Sequence, residues 1–177
     1  MQKLLLLLSF LFTLTIMWWM SGLRKLLVIP GKKINALLSL ELNWGEDRVR
    51  EVVTTWKEKD LLATAQQMNN IDFLFIVGYV GFLVMGIIVL KNLKVPLFVR
   101  HFRLLIFISV LLAVLDLAEG VASIFWLQEK IDPVSPILIS FLASIKFLLV
   151  VPMLLLVVGN LVKWLVFRNK LGGKNLN

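Results

Sequence analysis

Four long apolar runs, separated by shorter polar stretches, constrain this chain more than any other feature. A bilayer core of ~30 Å needs about 20 apolar residues in helical form, whereas the core helices of soluble proteins are amphipathic. The runs therefore predict an all-α fold, an integral membrane four-helix bundle. The predicted spans cover approximately residues 4–23, 71–90, 104–127 and 137–166. We expect the polar segment between the first two, residues 24–70, to be extracytoplasmic and to form amphipathic helix.

Composition limits the kinds of site that the chain can build. Its 177 residues have room for one compact unit, so we expect a single membrane domain over residues 1–177. Hydrophobic residues make up 59% of the chain, against roughly 45–50% in a soluble domain. Cysteine is absent, which excludes disulfides and thiolate metal sites. His101 is the single histidine, so no multi-histidine haem or metal site can form within the chain, and we expect no cofactor and no metal.

The first apolar run begins like a signal peptide, with Lys3 followed by five leucines. Its apolar stretch is longer than the core of a usual signal peptide. The run also ends in Trp18, Trp19 and Met20 where a signal peptide would have small residues for cleavage. We therefore expect a retained signal anchor, with the two tryptophans at the membrane surface.

The basic residues predict how the bundle is oriented in a cell membrane. Residues 91–103 and the C-terminal tail carry Lys and Arg and no acidic residue, so the positive-inside rule places both in the cytoplasm. Four spans then put the N-terminus there as well, with residues 24–70 and 128–136 outside. Four basic residues at the outer end of the first span oppose this assignment: Arg24, Lys25, Lys32 and Lys33. The net charge of +8 indicates orientation and contact with the lipid bilayer, and no nucleic-acid partner, because the charges are divided among the flanks.

The polar segment contains one amphipathic pattern. Val49, Val52, Val53 and Trp56 recur at the spacing of a single helical face, and Asp47 is placed to cap a helix that begins at the next residue. The apolar face could lie on the bilayer or against the bundle. The helix could also continue almost without a break into the second span.

Three ionisable residues fall inside the third and fourth spans: Asp116, Glu119 and Lys146. A charge at the bilayer centre costs about 2.5–3.5 kcal/mol, so such residues are expected to pair, to be protonated or to face a water-filled cavity. Asp116 and Glu119 share a helical face because they are three residues apart. At ~1.5 Å per residue, Glu119 and Lys146 both lie about 12–14 Å below the outer surface. We predict an ion pair between them, with Asp116 one turn deeper.

The second span is predicted to complete this intramembrane polar cluster. Asp72, Tyr79 and Gly86 are seven residues apart, which keeps them within ~20° of one face at each step. The Tyr79 hydroxyl would then lie close in depth to Glu119 and could donate to a carboxylate. Gly78, Gly81 and Gly86 would let neighbouring helices approach closely.

The cluster is compatible with four functional hypotheses. It could fix which helices pair, as a structural network in a non-catalytic subunit. It could organise a groove for a lipid, quinone or other apolar ligand. It could carry protons in a small proton-coupled transporter, oligomeric because four spans enclose little volume. It could also be the acid and base of a membrane enzyme acting on a lipid-soluble substrate. No nucleophile elbow, zinc motif or phosphate-binding loop is present, so a non-catalytic subunit or ligand-binding bundle leads, in a homo-oligomer or larger membrane complex.

The run from Leu115 to Gly120, Leu-Asp-Leu-Ala-Glu-Gly, is part of a wider resemblance. Together with the Asp72 to Phe75 run and with Lys146, it resembles a group of small, uncharacterised bacterial four-span membrane proteins. Their third span carries a Leu-Asp-x-x-Glu-Asn motif, from which Gly120 departs. The resemblance covers approximately residues 71–160. It implies a bacterial inner-membrane protein with a shared carboxylate-lysine centre, and it implies no activity.

Overall fold

The computed structural model describes residues 1–29, 38–42 and 44–172. Every regular element within them is helical, which confirms the all-α prediction. Lys32 and Lys33, and the basic tail from residue 173 onward, lie outside the described residues. The elements in chain order are α1 Gln2–Leu27, α2 Leu38–Glu41, α3 Glu46–Glu58, α4 Leu62–Asn92, α5 Pro96–Arg100, α6 Phe102–Leu127 and α7 Ser135–Gly172.

Helices α1, α4, α6 and α7 are each long and apolar enough to cross a bilayer. Four such helices were predicted, and that prediction is confirmed. The helix that contains the second predicted span, residues 71–90, extends beyond that span and begins at Leu62. Its first turns are more polar than the rest, but Ala65 and Met68 continue the helical spacing and are buried.

Helix α4 is the central helix of the bundle. It contacts α1, α6 and α7, and half of its most apolar 18-residue stretch is buried, against 11% for α1. Glycines allow two of these contacts. A Cβ on Gly78 would lie 2.9 Å from Thr13 Oγ1 on α1, and a Cβ on Gly86 would lie 2.5 Å from Val157 on α7. The predicted close approach is therefore present at these two positions, whereas Gly81 is less crowded, with Ser9 at 3.8 Å.

Helices α2 and α3, which we call the cap, cover one end of the bundle. The predicted apolar face of α3 is buried in the same core as Leu27 of α1, so it packs against the bundle. Trp56 Nε1 donates to the Leu27 carbonyl at 3.1 Å. One expectation was wrong. Helix α3 begins at Glu46 after Gly45, with Asp47 in its first turn and no side-chain cap. Helix α3 ends at Glu58 and α4 begins at Leu62, so the chain continues almost without a break into α4, through a short turn at Asp60, whose φ is 58°.

The connections are divided between the two ends of the bundle. At the cap end, Arg50 on α3 donates to the carbonyl of Ile131 at 2.8 Å, so the α6–α7 connection lies beside the cap. At the opposite end, Asn92 donates to the Gln2 side chain at 2.6 Å, so the start of α1 lies beside the basic stretch after α4. The two polar segments predicted on one side of the membrane thus share one end of the bundle.

Candidate functional site

Lys146 on α7 lies at the centre of a buried group of charged side chains. Its Nζ is 2.8 Å from Asp116 Oδ1 and donates a hydrogen bond to Glu119 Oε2. The side chains of all three residues are 10% exposed or less. Buried charges need partners, because each ion loses several kcal/mol of hydration. Lys146 supplies that partner to both carboxylates of α6.

Tyr79 on α4 joins the same group. Its hydroxyl donates a hydrogen bond to Asp116 Oδ2, so Asp116 accepts from Tyr79 on one oxygen and contacts Lys146 with the other. We call Tyr79, Asp116, Glu119 and Lys146 the carboxylate-lysine cluster. It connects three of the four long helices by polar contacts below the cap.

The close contact between α4 and α6 sets the register that brings these side chains together. Asn69 Nδ2 donates to the Gly120 carbonyl at 3.1 Å, and a Cβ on Gly120 would lie 2.9 Å from the Phe73 ring. Asn69 and Phe73 are four residues apart and therefore share a face of α4. The glycine of the Leu-Asp-x-x-Glu-Gly run thus lets the aromatic ring approach the α6 backbone, one turn from Asp116.

Asp72 stands apart from the carboxylate-lysine cluster. It is seven residues before Tyr79, which is about 10 Å along α4. Its carboxylate lines a cavity and, within the part of the chain that the structure describes, makes no hydrogen bond or ion pair. The sequence prediction grouped Asp72 with the other four residues. The structure places it on the wall of the cavity that Tyr79, Asp116 and Lys146 also line, and among the described residues it makes no hydrogen bond or ion pair with them.

Glu41 of the cap is a carboxylate that sequence reasoning missed. Its Oε2 lies 3.7 Å from Lys146 Nζ, and its side chain is 15% exposed. Burial raises the pKa of the Glu41 carboxyl, and the attraction of Lys146 offsets only part of this rise. The sequence does hold one signal, since Glu41 is the single acid in the run Leu-Leu-Ser-Leu-Glu-Leu, residues 37–42. An isolated acid in an apolar run is typical of a buried, partnered group.

A cavity of about 620 Å³ lies between α1, α4 and α7. Most of its wall is apolar and comes from all three helices, including Phe10, Leu14, Phe75, Phe82, Val150 and Leu154. Its volume falls in the range of ~300–1,000 Å³ that is usual for small-molecule sites. An apolar groove between helices was one of the alternatives raised by the sequence, and the cavity has that form.

The polar groups of the cavity are gathered toward the cap end. The charged residues in the wall are Arg24, Glu41, Asp72, Asp116 and Lys146. Carboxylates outnumber cations among them, so this end can attract a cation or take up a proton. Among the described residues, no group of three or more His, Asp or Glu side chains is arranged to hold a metal ion.

Comparison of the chain with known proteins found no matching family model, no matching curated protein and no matching solved structure. The resemblance noted for residues 71–160 therefore rests on its motif residues. The function has to be inferred from the cavity and from the charged groups in its wall.

Proposed function

We propose that the chain is a polytopic membrane protein that binds a small amphiphile in the cavity between α1, α4 and α7. The observation that carries this proposal is the combination of an apolar wall with charged groups at one end. Such a space matches a molecule with an apolar body and one polar end. The carboxylate-lysine cluster would hold α4, α6 and α7 in register around it, so that the site exists before the ligand enters.

The size of the cavity supports a ligand of modest length. At about 30 Å³ per water-sized group, 620 Å³ holds about 20 non-hydrogen atoms. A single alkyl chain with a small head group fits this volume. The aliphatic and aromatic side chains contributed by α1, α4 and α7 supply the apolar contact area that ligand sites of this kind need.

A pair of neighbouring valines offers a matched test. Val150 lines the cavity, whereas Val151 is 51% exposed on the outer surface of α7. A photoreactive dodecanol should label peptides of the cavity wall in the wild type. Val150→Trp should reduce this labelling severalfold because the indole occupies the space, and Val151→Trp should leave it unchanged. Equal labelling of both variants would show that the probe binds only the lipid-facing surface, and the proposal would fail.

We also propose that residues 1–177 form one membrane unit with the cap outside the cell membrane and the basic stretch after α4 in the cytoplasm. The basic flanks support this orientation. The absence of native cysteine makes a clean labelling test possible. In intact cells, a membrane-impermeant maleimide should label Lys59→Cys, directly after α3 of the cap, and should reach Arg100→Cys only after lysis. The opposite result would reverse the orientation.

A small proton-coupled transporter is the second candidate. It is favoured by the excess of carboxylates around Lys146 and by Asp72, which lines the cavity without a hydrogen-bond partner among the described residues. Ionisable groups placed in line inside a membrane are typical of proton paths. Such a carrier would lose its proton flux in pyranine-loaded proteoliposomes on Glu119→Gln and keep it on the exposed Glu58→Gln. A wild-type flux no greater than that of protein-free vesicles would exclude this candidate.

A further inference from the structure

The cavity wall shows which chemical groups its occupant must bring. Two hydrogen-bond donors at the cap end are already used, since Lys146 donates to Glu119 and contacts Asp116, and Tyr79 donates to Asp116. Arg24 also lines the wall and makes no hydrogen bond or ion pair among the described residues. Acceptors remain. Asp72 lines the cavity with both carboxylate oxygens unpaired among the described residues, and Glu41 is 3.7 Å from the lysine.

The charges of the cavity wall also favour a cationic ligand. Three carboxylates of the cavity wall, Glu41, Asp72 and Asp116, face two cations, Arg24 and Lys146. Glu119 adds a fourth carboxylate behind Lys146. An anionic head group would enter a region already rich in negative charge, and like charges at close range repel strongly where the dielectric constant is low. Lys146 and Tyr79 already donate to carboxylates, so a neutral carbonyl would rely on Arg24 and would leave Asp72 without a partner.

We infer that the occupant is an amphiphile whose polar end is a protonated amine, and that Asp72 is the carboxylate that pairs with it. This inference rests on the proposed function, because the cavity is what indicates a ligand and the carboxylates decide only its class. The ammonium supplies the donors that Asp72 lacks. Its charge offsets the excess of carboxylates, and its alkyl chain lies along the apolar wall.

The aromatic residues of the cavity favour the same class of ligand. Phe75 and Tyr79 lie three and seven residues after Asp72 and therefore share its face of α4. Both line the cavity, with their ring centroids 5.4 Å apart. Phe147 on α7 already has Lys146 Nζ 4.8 Å from its centroid, which shows that a cation is accommodated over an aromatic ring in this wall. A ligand ammonium at Asp72 would gain the same kind of attraction from Phe75.

Three probes share one alkyl chain and differ in the charge of the head group: dodecylamine, dodecanol and dodecanoate. Each is used as a competitor against photoreactive dodecanol, with the full-length protein in lipid nanodiscs. In the wild type, dodecylamine should halve the labelling at a concentration about 10- to 100-fold below that of dodecanol, the gain expected from hydrogen bonds to a charged group. Dodecanoate should be the weakest competitor of the three.

Asp72→Asn should remove the advantage of dodecylamine while dodecanol still competes, which also shows that the variant is folded. Asp60→Asn is the matched control. Asp60 is exposed in the turn before α4, and asparagine tolerates its positive φ, so this variant should behave as the wild type.

The outcomes separate this inference from the proposed function. If dodecylamine and dodecanol compete equally in the wild type, or if Asp72→Asn keeps the advantage of the amine, the ammonium inference is wrong and the cavity remains a binding site for an apolar chain. If photoreactive dodecanol does not label the cavity wall at all, the proposed function fails and the inference fails with it.

Discussion

Replacing Lys146 with methionine is expected to destabilise the protein more than neutralising the whole carboxylate-lysine cluster. At 2.8 Å and an effective dielectric constant of about 20, the attraction between Lys146 and Asp116 is about 6 kcal/mol. The hydration lost by each buried ion is several kcal/mol, so the intact cluster contributes little net stability. Lys146→Met removes the attraction and leaves Asp116 and Glu119 buried without a cation. The expected cost is about 3–5 kcal/mol of unfolding free energy.

The triple variant Lys146→Met, Asp116→Asn, Glu119→Gln should recover most of that loss. It leaves no buried charge in the cluster, and the amide introduced by Asp116→Asn would still offer an oxygen to the Tyr79 hydroxyl. Replacing a buried ion pair with neutral groups of similar volume is often neutral or stabilising. The wild type and the triple variant should therefore have similar free energies of unfolding, and Lys146→Met should have the lowest of the three.

The assay is equilibrium unfolding in mixed micelles of mild detergent and dodecyl sulfate, followed by tryptophan fluorescence. Lys59→Met is the matched control, because Lys59 is exposed at the end of α3 and its loss should change stability by less than about 0.5 kcal/mol. A Lys146→Met protein within about 1 kcal/mol of the control would refute the reasoning. So would a triple variant no more stable than the single one.

Two further substitutions test the cap and the helix contacts. Because burial raises the pKa of Glu41, its carboxyl keeps its proton in the folded protein at pH values where the unfolded chain has lost it. Ionisation of Glu41 therefore opposes folding. The stability gained by Glu41→Gln should therefore be smallest near pH 4, where the unfolded carboxyl still holds its proton, and should grow as the pH rises in thermal unfolding; a constant gain would contradict this. Gly86→Ala should cost about 1–3 kcal/mol because its Cβ would lie 2.5 Å from Val157, whereas Gly159→Ala, with nothing described within 4 Å, should be neutral or slightly stabilising.

The long helices could be read from the sequence because apolar length is a local property. Counting residues along the third and fourth spans also put Glu119 and Lys146 at equal depth, and the structure has them in contact. Depth follows from a fixed rise per residue, so it needs no knowledge of the packing. The pairing of Tyr79 with Asp116 follows from depth and helical face in the same way.

Features that depend on contacts between distant segments were not readable in this way. Glu41 reaches Lys146 across more than 100 residues of sequence, and no periodicity links them. The sequence left open whether α3 lies on the bilayer or on the bundle, because its apolar face would suit either. The lack of a hydrogen-bond partner for Asp72 among the described residues could not be predicted for a related reason. The spacing of Asp72 and Tyr79 places both on one face of α4. The cavity that this face lines arises from the packing of α1, α4 and α7, which the spacing does not determine.

The cap also explains how Glu41 stays beside the cluster although its burial opposes ionisation. Leu40, adjacent to Glu41, is buried in one core with Val49 and Trp56 of α3. Burying a large apolar side chain contributes about 1.5–3 kcal/mol, so several of them outweigh the cost of one carboxylate.

Packing of the cap, more than attraction to Lys146, therefore holds Glu41 in place. Trp56→Ala should loosen the cap and let Glu41 reach water, so Glu41→Gln should then stabilise the protein by less than it does in the wild type. A double-mutant cycle at about pH 8 measures this coupling, which is expected to be about 0.5–3 kcal/mol for groups that act through a shared contact. Additive effects would mean that Glu41 is held by its own charge, because loosening the cap would then leave its environment unchanged.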